Sequence, residues 1–439
     1  MNIELLKKNR IWAISCFLLG IQSVFSQDYQ YVDFNHGQND HVNTKWIQRI
    51  QLIEPACRSD VKGKVNVTIK APGMIQAKAF CWSAPTRKNP SSWGHRVDLT
   101  PKGISFKADG TGTFVFPADK FPAGPVNIRI FASNEKGERD LFELQLYNKG
   151  GDIWNQGIPQ NTPPAAKGLQ LVFTDDFDGP LSISSDGRNA RYCANKPLEG
   201  NFSGWPFTGV DGPDNPFEQV DSYLRIKARK DENGKASTGL ISSASMLGEG
   251  FWTKAPCYFE CRFIAQSAPG TWPAFWTLNA FDGTPGDELD VIEAYGGMGK
   301  GHPNADDVYC IVSHFWGQKN PDGTPVKEYD TRAPMTQLGG KSNWTETFHT
   351  YGVYVGLEET VYYMDNIEVL RHPTNAASRE KPFFFLANLS IGGNGWPIDL
   401  ERYGNGSDMY IDYIRVYAEK PLDYKVPEEA IRKYHERVK

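Results

Sequence analysis

The 439 residues predict an all-β protein built as two sandwiches, a small one followed by a large one. Three observations carry this. Short runs of alternating apolar and polar residues recur from Lys64 to Tyr417, with no amphipathic helical period of useful length between them. Gly (42) and Pro (29) are frequent enough to put a turn signal between most of these runs. Aromatic residues (12 Trp, 19 Tyr and 25 Phe) are abundant, as suits pleated sheets that also present flat side chains.

The first element is a leader. "MNIELLKKNR" is basic through Lys7, Lys8 and Arg10, and "IWAISCFLLGIQSVF" is apolar but shorter than a membrane span. Val24 and Ser26 occupy the small-residue positions before a cut ahead of Gln27. Residues 1–26 therefore read as a signal peptide, and the expected location is periplasmic, cell-surface or extracellular, in a bacterium. A lipoprotein cut at Cys16 would leave too short an apolar core. No later run is long enough to cross a bilayer, so no transmembrane segment is expected. A formal net charge of -5 excludes an electrostatic case for nucleic acid. A monomer is expected.

Export permits disulfides. Cys57 and Cys81 fall in one region and form a candidate pair. Cys257 and Cys261 lie four apart on one strand, about 13 Å from each other, too far to bridge. There is neither a Cys-x-x-Cys nor a His-rich cluster, which argues against zinc.

Residues 27–149 contain "KVNVTIKA", "GTFVFP", "GPVNIRIFAS" and "DLFELQLYN", separated by turns such as "PAG" and "EKGER". Strands so short and so spaced predict a small β-sandwich. Residues 150–168 are rich in Gly, Pro and Asn and read as a linker. From 169 to 420, strand patterns persist, from "LQLVFTDDF" to "MYIDYIRVYA", and fit one large all-β domain. Residues 421–439 read as a tail or a short helix opening at Pro427, with acids early and bases late.

The chemistry concentrates in "DELDVIEAY", Asp287 to Tyr295. Leu289, Val291 and Ile292 make it a strand, yet it carries four carboxylates. Alternation puts Glu288 and Asp290 on one face and Glu293 on the other. Glu293 joins the other two only if a β-bulge absorbs one residue, and bulges are common beside active sites. Two carboxyls about 5 Å apart are the apparatus of a retaining glycosidase, one attacking and one delivering and recovering a proton. Asp290 between them would hold the pair's pKa values apart. A solvated acidic loop is the bland alternative. A calcium loop is another, although no Gly falls at the bend.

Around this strand the chain resembles glycoside hydrolase family 16, whose marker Glu-x-Asp-x-x-Glu is matched by Glu288, Asp290 and Glu293. "FTDDFDG", "STGLISSASM", "PCYFECRFIAQSAPGTWPAFWTLN", "FHTYGVYVGLEETVYYMDNIEV", "FFFLANLSIGGNGWP" and "MYIDYIRVY" resemble the family's strands in order, from about Leu169 to Ala418. The resemblance implies a β-jelly roll with a glycan-binding cleft. It implies Glu288 as nucleophile, Glu293 as acid/base and Asp290 as the assisting acid. The five-place spacing of the glutamates resembles the bulged laminarinase, agarase, porphyranase and carrageenase branch. No cofactor is implied for catalysis. A structural calcium ion would fall to Asp176 and Asp412. The small N-terminal sandwich resembles immunoglobulin-like modules that precede such domains; Trp82 and Trp93 could make it a carbohydrate binder, but a spacer is the better reading.

Sugar rings stack on indoles, so Trp272, Trp276, Trp316, Trp205 and Trp396 are candidate substrate-binding residues, with His314 beside Trp316 on one strand face. The expected activity is internal cleavage of a β-linked polysaccharide. "DELDVIEAYGG" and "SHFWGQ" tilt the substrate towards an agarose or porphyran type of galactan. Laminarinase or κ-carrageenase-like action is the close alternative. Arg188, Arg191 and Arg332 are loop candidates for a sulfated substrate. A glycan-binding protein without activity is the rival from another class, and the presence of both glutamates argues against it.

Overall fold

Alternating sequence becomes two large facing sheets. A computed structural model describes residues 47–83, 95–152, 161–197, 201–245, 247–279, 286–296, 308–334, 344–393 and 397–437. The leader, Trp93 and Trp396 lie outside the described residues. Lys45–Lys439 form one compact unit.

The first large sheet has eight strands in the order Ile183–Ser184, Tyr192–Cys193, Leu240–Ser242, Phe384–Ile391, Thr271–Leu278, Gly286–Glu293, Val308–Trp316 and Tyr329–Pro334. The second has nine, centred on Gly406–Ala418 and Cys257–Ala265, which pair along almost their whole length. This is an all-β jelly roll: the alternation predicts the strands, and the family resemblance implies the jelly roll. Phe259, Phe263, Phe275, Phe385, Leu289 and Ile411 fill the space between the sheets. Strand Cys257–Ala265 is buried on both faces, and its polar members are satisfied: Glu260 accepts from the hydroxyls of Tyr258 (2.8 Å) and Tyr413 (2.7 Å).

The opposite face of the eight-stranded sheet carries a second apolar cluster of Leu240, Trp252, Trp276, Leu278, Phe384 and Leu386. Val426 and Ala430 pack there, which docks the C-terminal segment and its helix Glu428–Arg437. No helix among the described residues is long and apolar enough to cross a membrane.

Two smaller sheets precede residue 149. One holds Gln51–Glu54, Lys64–Lys70 and Thr111–Pro117. The other holds Asp60–Val61, Arg139–Asn148, Gly124–Ser133, Gln76–Ser83 and His95–Asp98. They meet the jelly roll through buried polar contacts. Glu143 accepts from the Ser267 amide (2.8 Å) and the Thr345 hydroxyl (2.7 Å), and Gln145 exchanges two hydrogen bonds with the Asp408 backbone, each 3.0 Å. Arg58 donates to the carbonyls of Tyr403 (2.7 Å) and Gly406 (2.9 Å), and Phe142 stacks on Tyr403 at 4.7 Å. The sequence marks a linker at 150–168, but the sheets on either side of it are in contact.

The Cys57–Cys81 disulfide is not made: none of Cys57, Cys81, Cys193, Cys257, Cys261 and Cys310 is bridged. Cys57 sits beside Arg58 at the contact with the jelly roll, whereas Cys81 lies within strand Gln76–Ser83. Trp82 is buried and offers no binding platform.

Candidate active site

The acid strand pairs with Thr271–Leu278, and the register decides which way its acids point. Leu278, Trp276 and Ala274 are alternate residues and share a face. Opposite them lie Glu288, Asp290 and Glu293. Residues directly opposite each other across a sheet share a face, so all three acids do too. Leu289 and Ile292 pair with Thr277 and Phe275 on the core face. Val291 has no partner and is the extra residue of a bulge. The fourth carboxylate, Asp287, lies fully buried on the other face. It accepts hydrogen bonds from Gln318 (2.6 Å), Asn375 (2.8 Å) and Ser378, and so anchors the start of the strand.

The next strand over, Val308–Trp316, sets His314 opposite Glu288. One ligand atom from each of Glu288, Asp290 and His314 falls within 4.8 Å of the others. His314 Nε2 lies 3.4 Å from Asp290 Oδ2, and Nδ1 lies 2.9 Å from Glu328 Oε1. Trp316, half exposed at 50 %, stacks on the imidazole at 4.6 Å.

Electrostatics make the three acids unequal. Burial pushes Glu288 up, and the Lys196 ammonium, His314 and a hydrogen bond from Trp316 pull it back in part. Burial also pushes Glu293 up. Here the opposing influences are chiefly hydrogen bonds from Tyr295 and Trp272, together with His314. Asp290 is raised well above the carboxylate range by burial, then by the charges of Glu293 and Glu288 on either side. The members of a buried cluster of this kind bind protons more tightly than isolated carboxyls and titrate together.

The candidate aromatic residues divide. Trp272 is half-buried, stacks with Tyr295 at 5.9 Å and favours the charged form of Glu293. Trp276 is only 5 % exposed: Phe202 packs edge-on at 5.9 Å, Lys196 sits 5.5 Å above the ring, and the indole N–H donates to Asn388 (2.9 Å). It is floor rather than open platform. Trp205 is a correction. Its Gly/Pro-rich loop suggested exposure, but the side chain is 6 % exposed and in the core. The loop lies against strand Phe384–Ile391, and the Trp205 amide donates to the Ile391 carbonyl (3.1 Å).

Both calcium candidates face guanidinium groups. Asp412 is buried against Arg262, and Asp176 pairs with Arg415 at 3.2 Å. Arg191 packs on Phe173 at 4.7 Å, and Arg188 pairs with Asp186 at 3.4 Å. Arg332, expected in a loop, is an exposed residue of the edge strand. It pairs with Cys310, on the same face as His314.

Tyr295, Lys196, Glu328 and Asn388 escaped the sequence reading. Tyr295 had a signal, since it stands two places after Glu293 and alternation puts both on one side. Lys196 and Glu328 reach the site by long-range register, which leaves no local trace.

Several relatives match at the sequence level, two of them from one organism. Endo-1,3-1,4-beta-glycanase EglC of Rhizobium meliloti (strain 1021) is 29% identical over 270 residues, 57% of this chain and 52% of that protein. Endo-1,3-1,4-beta-glycanase ExsH of the same organism is 31% identical over 213 residues, 46% of this chain and 40% of that protein. The chain thus spans about half the length of these relatives or less. The catalytic domain of an endo-1,3-beta-glucanase (laminarinase) from Thermotoga petrophila RKU-1 aligns over 57% of this chain and 98% of its own, with 21% identity and a TM-score of 0.43. Residues 214–415, which carry the three acids and both strands flanking them, match the family model of Glycosyl hydrolases family 16.

Proposed function

We propose that this protein is a retaining endo-glycosidase that hydrolyses internal β-linkages of a polysaccharide by double displacement. The observation that carries the reading is the bulge at Val291, which brings Glu288, Asp290 and Glu293 onto one face. Glu288 is the nucleophile: the Lys196 cation, His314 and the Trp316 indole all favour its charged form. Glu293 is the acid/base: burial keeps its proton available to a leaving oxygen, and Tyr295 and Trp272 orient it. Asp290 holds a proton between them and limits the repulsion. Glu288 attacks the anomeric carbon while Glu293 protonates the departing oxygen. Glu293 then takes a proton from water, which displaces Glu288.

A 1,3- or mixed 1,3-1,4-linked β-glycan is the favoured substrate, because the relatives are named for such glycans. An agarose or porphyran type of galactan is the second reading. It is favoured by Arg332 on the acid-bearing face, where a guanidinium suits a sulfate ester. Stacking on Trp316 and Trp272 serves either. Export by the leader in residues 1–26 fits a polymer too large to enter a cell.

The test is a product screen on laminarin, mixed-linkage glucan, agarose, porphyran and κ-carrageenan, with the anomeric configuration followed by proton NMR. Oligosaccharides released with retention are expected, and Glu288→Gln should lower kcat about 10³-fold or more. Full activity in that variant would remove the assignment.

A further inference from the structure

Glu328 has no part in the proposed roles, yet it holds the one imidazole that touches the acid cluster among the described residues. It stands just before strand Tyr329–Pro334, which pairs with Val308–Trp316 so that Tyr329 faces Ser313. That register brings the Glu328 carboxylate to His314 Nδ1 at 2.9 Å, while Nε2 lies 3.4 Å from Asp290 Oδ2. Trp316 lies against the ring with only 20° between the planes. The imidazole is therefore held at Nδ1 and on one face, with Nε2 beside Asp290.

An ionised carboxylate can only accept a hydrogen bond, so Nδ1 beside Glu328 must carry a proton. A neutral imidazole has one N–H, which leaves Nε2 with its lone pair towards Asp290. Two acceptors 3.4 Å apart repel, which favours a proton on one of the two, Asp290 or Nε2. The charged groups around it are Glu288, Asp290 and Glu293 from the acid strand, Lys196 from its loop, and Glu328 from the far side.

We propose that Glu328 is a positioning residue that fixes His314 as the Nδ1–H tautomer, making Nε2 the alternative seat for the proton of Asp290. The catalytic consequence rests on the double-displacement reading; the tautomer does not. When Glu288 becomes an ester, its negative charge disappears and Asp290 can ionise. The proton of Asp290 then moves to Nε2, leaving a carboxylate and an imidazolium whose Nδ1–H stays on Glu328. When water releases the sugar, Glu288 regains its charge and the proton returns from Nε2 to Asp290. Protons balance over the cycle.

The experiment is two-bond 15N–1H correlation on the full chain labelled in histidine, with His314→Gln to assign the signal. It is paired with kcat and KM against pH. The native chain should show Nδ1–H. Glu328→Ala should mix the tautomers, lower kcat about tenfold with KM within about twofold, and displace the pH optimum. Glu328→Gln, whose side-chain carbonyl still accepts from Nδ1, should restore the tautomer and most of the rate. Glu328 is 46 % exposed, so neither change threatens the fold. An Nε2–H signal in the native chain, or a Glu328→Ala variant with unaltered tautomer and pH profile, overturns the proposal. A chain inactive on every glycan would count against the function but leave the tautomer result standing.

Discussion

At the residue scale the central object is a carboxylate flanked by two others. Asp290 is buried and raised well above the ordinary aspartate value by burial, then by Glu293 and Glu288. A raised folded-state pKa means that the native chain binds the proton more tightly than the unfolded one. The stabilising influence is then complete below the unfolded value of about 3.9 and is lost as pH climbs through the folded value. Replacing Asp290 by Asn removes that loss. Asp290→Asn is expected to raise the melting temperature at pH 7, with a gain that vanishes near pH 3 to 4, while kcat falls. Thermal scans across pH check the first part and kinetics the second. The three acids were legible because spacing on a strand is a strong local signal. Trp205 misled because a Gly/Pro-rich loop can fold inward as readily as outward.

At the element scale the acid strand depends on two features with different visibility. The bulge was legible as a count, one residue too many between Asp290 and Glu293; that Val291 is the residue passed over needed the pairing. The anchoring role of Asp287 was not legible, because its partners Gln318, Asn375 and Ser378 are distant in sequence. Asp287→Ala would leave these buried donors without their acceptor, at about 1–3 kcal/mol for each one left unsatisfied. A lower denaturant midpoint is expected, together with reduced kcat, since Glu288 is the next residue. Asp287→Asn keeps part of the acceptor and should lose less on both counts.

At the scale of the whole molecule, the strand-rich character of both parts of the chain was legible and their contact was not. The contact is made by charged and polar side chains whose partners are distant in sequence, so alternation alone leaves them unplaced. Glu143 is the clearest case. It is buried with Arg129, 3.7 Å away, and braces the backbone at Ser267, four residues before the strand that carries Trp272. Removing one member of a buried ion pair costs about 3–5 kcal/mol because the other charge is left behind. Glu143→Ala should therefore lower stability by about that much in urea unfolding, and Glu143→Gln by less.

The central claim is that Glu288 becomes covalently bound to the sugar. Trapping with a 2-deoxy-2-fluoro glycosyl fluoride of the matching glycan, followed by peptide mapping, tests it most directly. The account predicts a single adduct on Glu288 that disappears on dilution as activity returns. An adduct on Glu293 or Asp290, or steady turnover with inversion and no adduct, would contradict it.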